Sequence, residues 1–219
     1  MILRTLIATL ALAAGVAHAD EVNGSGRPAT EKREASGIHG VATAIFGHVE
    51  VTQGNNEGVT VTADDNVLPY IVTEVRDGVL QIRTRPNTSL RTHTPLDVKV
   101  VARDVQSLRL SGSGDIVASR IETPKLVLDI SGSGNMRLSG RARAFDAHIS
   151  GSGRVDAARL AADDAAVQVS GSGRLILSAS KTLKTKISGS GELDYYGDPV
   201  VEQRISGVGR VRRAGAAPA

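Results

Sequence analysis

The chain has 219 residues, 41% hydrophobic and 22% charged, a balance that fits one globular or solenoid domain and excludes a wholly disordered chain. A formal net charge of +3 without any long Lys/Arg run excludes the footprint of a nucleic-acid-binding protein. There is no tryptophan or cysteine, and the aromatic residues are Phe46, Phe145, Tyr70, Tyr195 and Tyr196, so the core must rest on Val, Ile, Leu and Ala without disulfides.

Residues 1–19 combine a positive start at Arg4, an apolar run from Leu6 to Val16 and the small-residue sequence Ala17-His18-Ala19, the pattern of a secretory signal peptide cut before Asp20. The apolar run is about half of the ~20 residues that a spanning helix needs. No second long apolar run follows, so the product expected after cleavage is exported and has no transmembrane segment. Loss of Arg4 leaves it with a formal charge of +2.

Residues 20–37, which include EVNGSGRPATEKREASG, are polar, broken by Gly and Pro, and read as a flexible arm. Residues 38–104 change to short alternating runs (HVEVT, GVTVTA, YIVTEV, VLQIRT, LDVKVVA) separated by turn signals, which predicts strands. Asp77-Gly78 predicts a tight hairpin, since that pair supplies the positive φ angles such a turn requires. ADDNVLP, residues 63–69, predicts a turn or a single helical turn capped by a side-chain oxygen of Asp64, Asp65 or Asn66.

Residues 105–213 are a repeat. The unit is marked by Ser111-Gly112-Ser113-Gly114, Ser131-Gly132-Ser133-Gly134, Ser150-Gly151-Ser152-Gly153, Ser170-Gly171-Ser172-Gly173 and Ser188-Gly189-Ser190-Gly191, with a degenerate Ser206-Gly207-Val208-Gly209. The leading serines are 20, 19, 20, 18 and 18 residues apart. The residue before each is aliphatic: Leu110, Ile130, Ile149, Val169, Ile187 and Ile205. Two residues earlier stand Leu108, Leu128, Ala147, Val167, Thr185 and Gln203, with polar residues between the two columns. This period-two pattern, returning every 18–20 residues, predicts an all-β fold: a right-handed parallel β-helix or solenoid in which each coil adds a strand to each face. Carrying the alternation straight through the tetrapeptide places both glycines inward and both serines outward. Val208 then becomes an outward apolar residue at the end of the stack, a place for a cap or a contact. Residues 214–219 read as a disordered tail.

Chemistry is scarce in this pattern. A phosphate cradle sets its glycines between a strand and a helix, whereas β-pattern residues follow every SGSG here. Nucleophilic catalysis would need one serine singled out by a histidine and an acid, and the copies are alike. His39, His48, His93 and His148 lie in unlike contexts, and Asp64-Asp65-Asn66 has its oxygens adjacent rather than alternating as a calcium loop prefers. No catalytic residue, metal or cofactor is therefore expected. The alternative is a polysaccharide-active lyase or hydrolase using paired carboxylates, for which Asp115, Asp156, Glu192 and Asp194 are the candidates.

The order HVEVTQGNNEGVTVTADDNVLPYIVTEVRDGVLQIRT followed by ISGSGNM, ISGSGRV, VSGSGRL and ISGSGEL resembles the head GIN domain family of putative autotransporter adhesins, over about residues 38–213. The resemblance implies a β-helical head in a bacterial exported protein, in the periplasm or at the cell surface. It also implies a role in adhesion, binding or the cell envelope, with envelope polysaccharide or a surface protein as partner. An open strand edge after Val211 predicts, in addition, pairing with a second copy through the solenoid end.

Overall fold

The computed structural model describes residues 20–217; the signal-peptide reading of residues 1–19 lies outside them. In chain order the strands are β1 (Asp20–Asn23), β2 (Pro28–Arg33), β3 (Gly40–Ala44), β4 (His48–Gln53), β5 (Gly58–Asp64), β6 (Ile71–Arg76), β7 (Val79–Thr84), β8 (Thr88–Arg91), β9 (Asp97–Ala102), β10 (Ser107–Gly112), β11 (Asp115–Gly132), β12 (Asn135–Gly151), β13 (Arg154–Gly171), β14 (Arg174–Gly189), β15 (Glu192–Tyr196), β16 (Val200–Gly207) and β17 (Arg210–Gly215). Among the described residues the one helical element is a 3-10 turn at Leu68–Tyr70.

Two parallel ladders run the length of the molecule and make the predicted β-solenoid. The first face stacks β7, β3, β10, the second halves of β11, β12, β13 and β14, and then β16. The second face stacks β9, β4, the first halves of β11 to β14, β15 and β17. The SGSG serines fall in register from coil to coil, Ser111 beside Ser131, Ser150, Ser170, Ser188 and Ser206, so each tetrapeptide is the corner where one face passes into the other. The aliphatic columns close the interior: Leu108, Leu110, Leu128, Ile130, Ile149, Val167, Val169 and Ile187 are all buried. Phe145 is the one fully buried aromatic ring among the described residues, and Ala142, Ala147 and Ala162 keep the rest of that interior thin.

Coil order and chain order differ at the N-terminal end. The predicted strands of residues 38–104 contain two further coils of the same stack, and the earlier one in sequence lies inside the later one. β3 pairs with β10 on one side and β7 on the other, and β4 pairs with β11 and β9 in the same way. In this first coil Ala44-Ile45-Phe46-Gly47 occupies the SGSG corner, as the register of Gly40 with Ser107 and His48 with Asp115 requires. Beyond β7 and β9 the sheet turns antiparallel: β6 closes on β7 through the Asp77-Gly78 hairpin, whose φ values are 50° and 74°, and β5 closes on β9. Val67, Leu68 and Ile71 are buried there, so the interior is shut at this end.

The flexible arm is corrected. β1 pairs with β8 and β2 pairs antiparallel with β5, and the ADDN turn supplies the fastening. Asp64 is fully buried and accepts hydrogen bonds from the N–H groups of Gly26 (3.0 Å) and His93 (2.8 Å) and from the Thr94 hydroxyl (2.8 Å). Asp65 accepts from the Ser25 hydroxyl (2.5 Å), and Asn66 accepts from the Ser25 N–H (2.9 Å) and donates to the Asn23 carbonyl (2.8 Å). These side chains therefore do not cap the 3-10 turn, which has no side-chain cap. Their oxygens are engaged by donors from this chain. Arg33 finishes the clasp by donating to the carbonyls of Ile71 (2.5 Å) and Leu68 (3.0 Å). At the other end the last strand runs on through Gly215, which accepts from the Gly197 N–H, so Ala214 and Gly215 belong to the sheet rather than to a disordered tail.

Candidate binding surface

The SGSG corners are built by two different glycines, and here the simple parity count fails. The second glycine faces in: Gly114, Gly134, Gly153, Gly173 and Gly191 are buried, and a Cβ on Gly153 would lie 2.7 Å from Ile130 Cγ2 of the preceding coil. The first glycine is only partly covered and turns the corner with a positive φ, 122° at Gly151, where a Cβ would sit 2.5 Å from the Gly132 carbonyl oxygen. Alternation predicted an inward residue at that position; the φ reversal breaks the alternation between the two faces. The corner serines project outward as expected, Ser131, Ser150, Ser170 and Ser188 being exposed. The N–H groups of the second corner serines are consumed by the stack. Ser133 donates to the Gly112 carbonyl (3.0 Å), Ser152 to Gly132 (3.0 Å) and Ser172 to Gly151 (2.9 Å), so these amides serve the ladder rather than an anion.

The carboxylates weighed for glycosidic cleavage are engaged along the second face. Asp115 accepts from the Asn135 amide (2.7 Å), Asp156 lies 3.9 Å from Arg137, Glu192 pairs with Arg174 and Asp194 pairs with Arg212 at 2.9 Å. Hydrogen bonding to Asp194 raises the Arg212 guanidinium pKa. His48, Asp115, Arg137, Arg154 and Asp156 do line a shallow groove of about 400 Å3 there. Asp115 is engaged by Asn135 and Asp156 lies beside Arg137, so the groove offers no carboxyl pair released for acid–base work, while Arg154 stands opposite Arg174.

The first face differs, and of its outward residues the sequence reading named only His148. A groove of about 430 Å3 crosses four successive coils near the C-terminal end. In register, Asp146 and His148 are followed by Ala166 and Gln168, then Lys184 and Lys186, then Glu202 and Arg204. The small Ala166 makes the floor between longer side chains. Asp146 is held by Lys125 at 2.6 Å, Glu202 by Arg204 at 3.1 Å, and Asp129, one coil further back, by Arg109 at 3.3 Å. Among the described residues neither Lys184 nor Lys186 has an ion-pair partner within 4.0 Å, and Lys186 stands directly opposite Arg204. Like charges opposite one another on neighbouring strands repel, so this patch carries an excess of positive charge around Lys186 and Arg204, with Glu202 in register beside Lys184. The sequence held the signal, KTK between aliphatic residues, but only the register brings it beside Arg204 and Ala166.

A stack of parallel coils, closed at one end and carrying its polar side chains along its flanks, is a β-solenoid that offers broad surfaces rather than a deep catalytic cleft. The chain belongs to the family described as "putative auto-transporter adhesin, head GIN domain", whose model matches residues 45–199. Solved structures agree on the fold. A protein titled a putative adhesin from Bacteroides fragilis superposes with a TM-score of 0.73 at 18% identity, covering 88% of this chain and 99% of that one. A protein titled a putative lipid binding protein from Parabacteroides distasonis gives 0.61 at 22% identity, covering 89% and 100%. A putative adhesin from the same organism gives 0.53 at 25% identity, covering 89% and 100%. A comparison with curated proteins finds none that matches. Among the described residues no helix is long and apolar enough to cross a membrane.

Proposed function

We propose that this protein is an exported, non-enzymatic binding module that holds an acidic polysaccharide of the cell envelope against the first face of its solenoid. The observation that carries the reading is the unpartnered pair Lys184 and Lys186 beside Arg204, over the floor made by Ala166. Two lysines on alternate residues of one strand are about 6.6 Å apart along it, a spacing that lets successive charged groups of an extended polymer engage both. An anionic ligand would relieve the repulsion between Lys186 and Arg204. With so few aromatic residues, ionic contacts rather than stacking of sugar rings must carry the affinity. The family description and the adhesin and lipid-binding titles of the similar structures support a binding role over a catalytic one.

Calorimetric titration with polygalacturonate, and with neutral dextran as control, tests this. Binding to the acidic polymer alone is expected, weakening as salt rises, and the Lys184→Glu/Lys186→Glu double variant should lose at least about tenfold in affinity. Equal binding of dextran, or an unaffected double variant, overturns it. Export is tested by cell fractionation and by sequencing the mature N-terminus, expected at Asp20.

A further inference from the structure

The two ends of the solenoid are unlike. At the N-terminal end the interior is shut by β5, β6 and the 3-10 turn, with Val67 0%, Leu68 8% and Ile71 2% exposed. At the C-terminal end nothing among the described residues lies on the last coil. β16 has β14 on one edge and no partner on the other, and Ile205, in the column that buries Ile187 completely, is 41% exposed. Val201 and Val211 are only partly covered, and Val200 and Val208 are each 77% exposed. Inside this mouth the Thr185 hydroxyl is buried without a hydrogen-bond partner, directly beneath Gln203.

We infer that the open coil is covered by the open coil of a second copy, making a dimer closed by a twofold axis through Gln203. The sequence of β16, Val200-Val201-Glu202-Gln203-Arg204-Ile205-Ser206-Gly207, is self-complementary when laid antiparallel about that residue. Inward positions then oppose Val201 to Ile205 of the other copy, with Gln203 facing its own mate. Outward positions oppose Glu202 to Arg204, twice by symmetry. Opposite residues in such a pair have Cβ atoms about 4.5–5.5 Å apart, close enough for the apolar contacts and for both ion pairs. The pairing also satisfies the free N–H and C=O groups on the outer edge of β16, which would otherwise be an unguarded template. Because the opposite end is shut, the contact is isologous, so assembly stops at two copies and does not grow into a filament. One coil end is a small contact, below the about 1,200–2,000 Å2 of a standard interface, so the dimer should exchange with monomer at micromolar concentrations. The inference does not depend on the polysaccharide reading, although it would join the two cationic grooves across the axis.

Sedimentation velocity of the purified protein from about 1 to 500 µM should show a reversible shift from monomer mass to dimer mass and no further. Arg204→Glu places Glu202 against a second carboxylate and should weaken association at least tenfold, while the charge swap Glu202→Arg/Arg204→Glu should restore it. Both side chains are exposed on the edge strand, so circular dichroism is expected to match the parent. The chain has no cysteine, and Gln203→Cys on the axis should therefore oxidise to a disulfide-linked dimer, whereas Ser172→Cys at a distant corner should not. Monomer at every concentration, growth beyond dimer, a swap variant no better than Arg204→Glu, or equal cross-linking at both cysteine positions would each overturn the inference.

Discussion

Replacing Gly151 by alanine probes how the corners hold the stack. The residue has φ 122°, in a region that side-chain-bearing residues seldom adopt, and its Cβ would approach the Gly132 carbonyl oxygen to 2.5 Å. That oxygen accepts the Ser152 N–H at 3.0 Å, so the coils cannot part without stretching the ladder. Backbone strain of about 1–3 kcal/mol and overpacking of about 1–3 kcal/mol add to a loss of about 2–6 kcal/mol. Gly153→Ala has no φ penalty. Its Cβ meets Ile130 Cγ2 at 2.7 Å, a side chain that can yield, and the cost is about 1–3 kcal/mol. Ser152→Ala, at an exposed corner, should stay within about 0.5 kcal/mol. With about 2–4 °C of Tm per kcal/mol at this size, Gly151→Ala should lower the melting temperature by roughly 4–24 °C. Thermal and urea unfolding followed by far-UV circular dichroism measure all three. If Gly151→Ala cost no more than Ser152→Ala, or less than Gly153→Ala, the assignment of separate duties to the two glycines would fail.

Thr185→Val removes a buried hydroxyl without a partner and should raise stability by about 1 kcal/mol, seen as a higher urea midpoint. Burial of Asp64 works to raise its pKa, but hydrogen bonds from the Thr94 hydroxyl and the N–H groups of His93, Thr94 and Gly26 outweigh it and hold the pKa below the ordinary value. Its contribution is then complete above the unfolded pKa of about 3.9 and is lost as pH falls through the lower folded value. Glu57 follows the same sign, held down first by the Gly37 N–H. The urea midpoint should therefore fall steeply below about pH 4, and Asp64→Asn should flatten that fall while lowering stability at pH 7. Arg33→Ala frees β2 from the Ile71 and Leu68 carbonyls, and limited proteolysis should then cut within residues 24–33 while the coils survive.

The coils were legible because one physical requirement recurs. An aliphatic pair, a polar residue between and a glycine corner repeat at the length of one turn, and six copies outweigh any local ambiguity. The first coil escaped because Ala44-Ile45-Phe46-Gly47 keeps only the second glycine of the motif, and no local pattern tells that β7–β9 stacks outside β3–β4. The fastening of residues 20–33 was illegible for a similar reason. Its hydrogen bonds join Ser25 and Gly26 to residues some forty positions away, and a polar, glycine-broken segment looks alike whether its donors meet water or Asp64. Of the binding surface, the lysines of KTK were visible but their neighbours were not, because a charge becomes unpaired only relative to the strands on either side.

The placement of the β3–β4 coil between two coils that follow it in sequence has a consequence for the order of assembly. Leaving a ribosome or a translocation pore, β3 and β4 find their outer neighbours β7 and β9 only by about residue 102 and have both neighbours only when about residue 119 has appeared. Until then the segment is a template paired on one edge at most. Once β7, β9 and β10 have closed around it, each later coil needs only the one before it, so folding becomes local and proceeds by accretion toward the C-terminus. The slow step is thus confined to the non-repetitive end. The number of coils laid down afterwards becomes a quantity that insertion or deletion can change without redesigning the start.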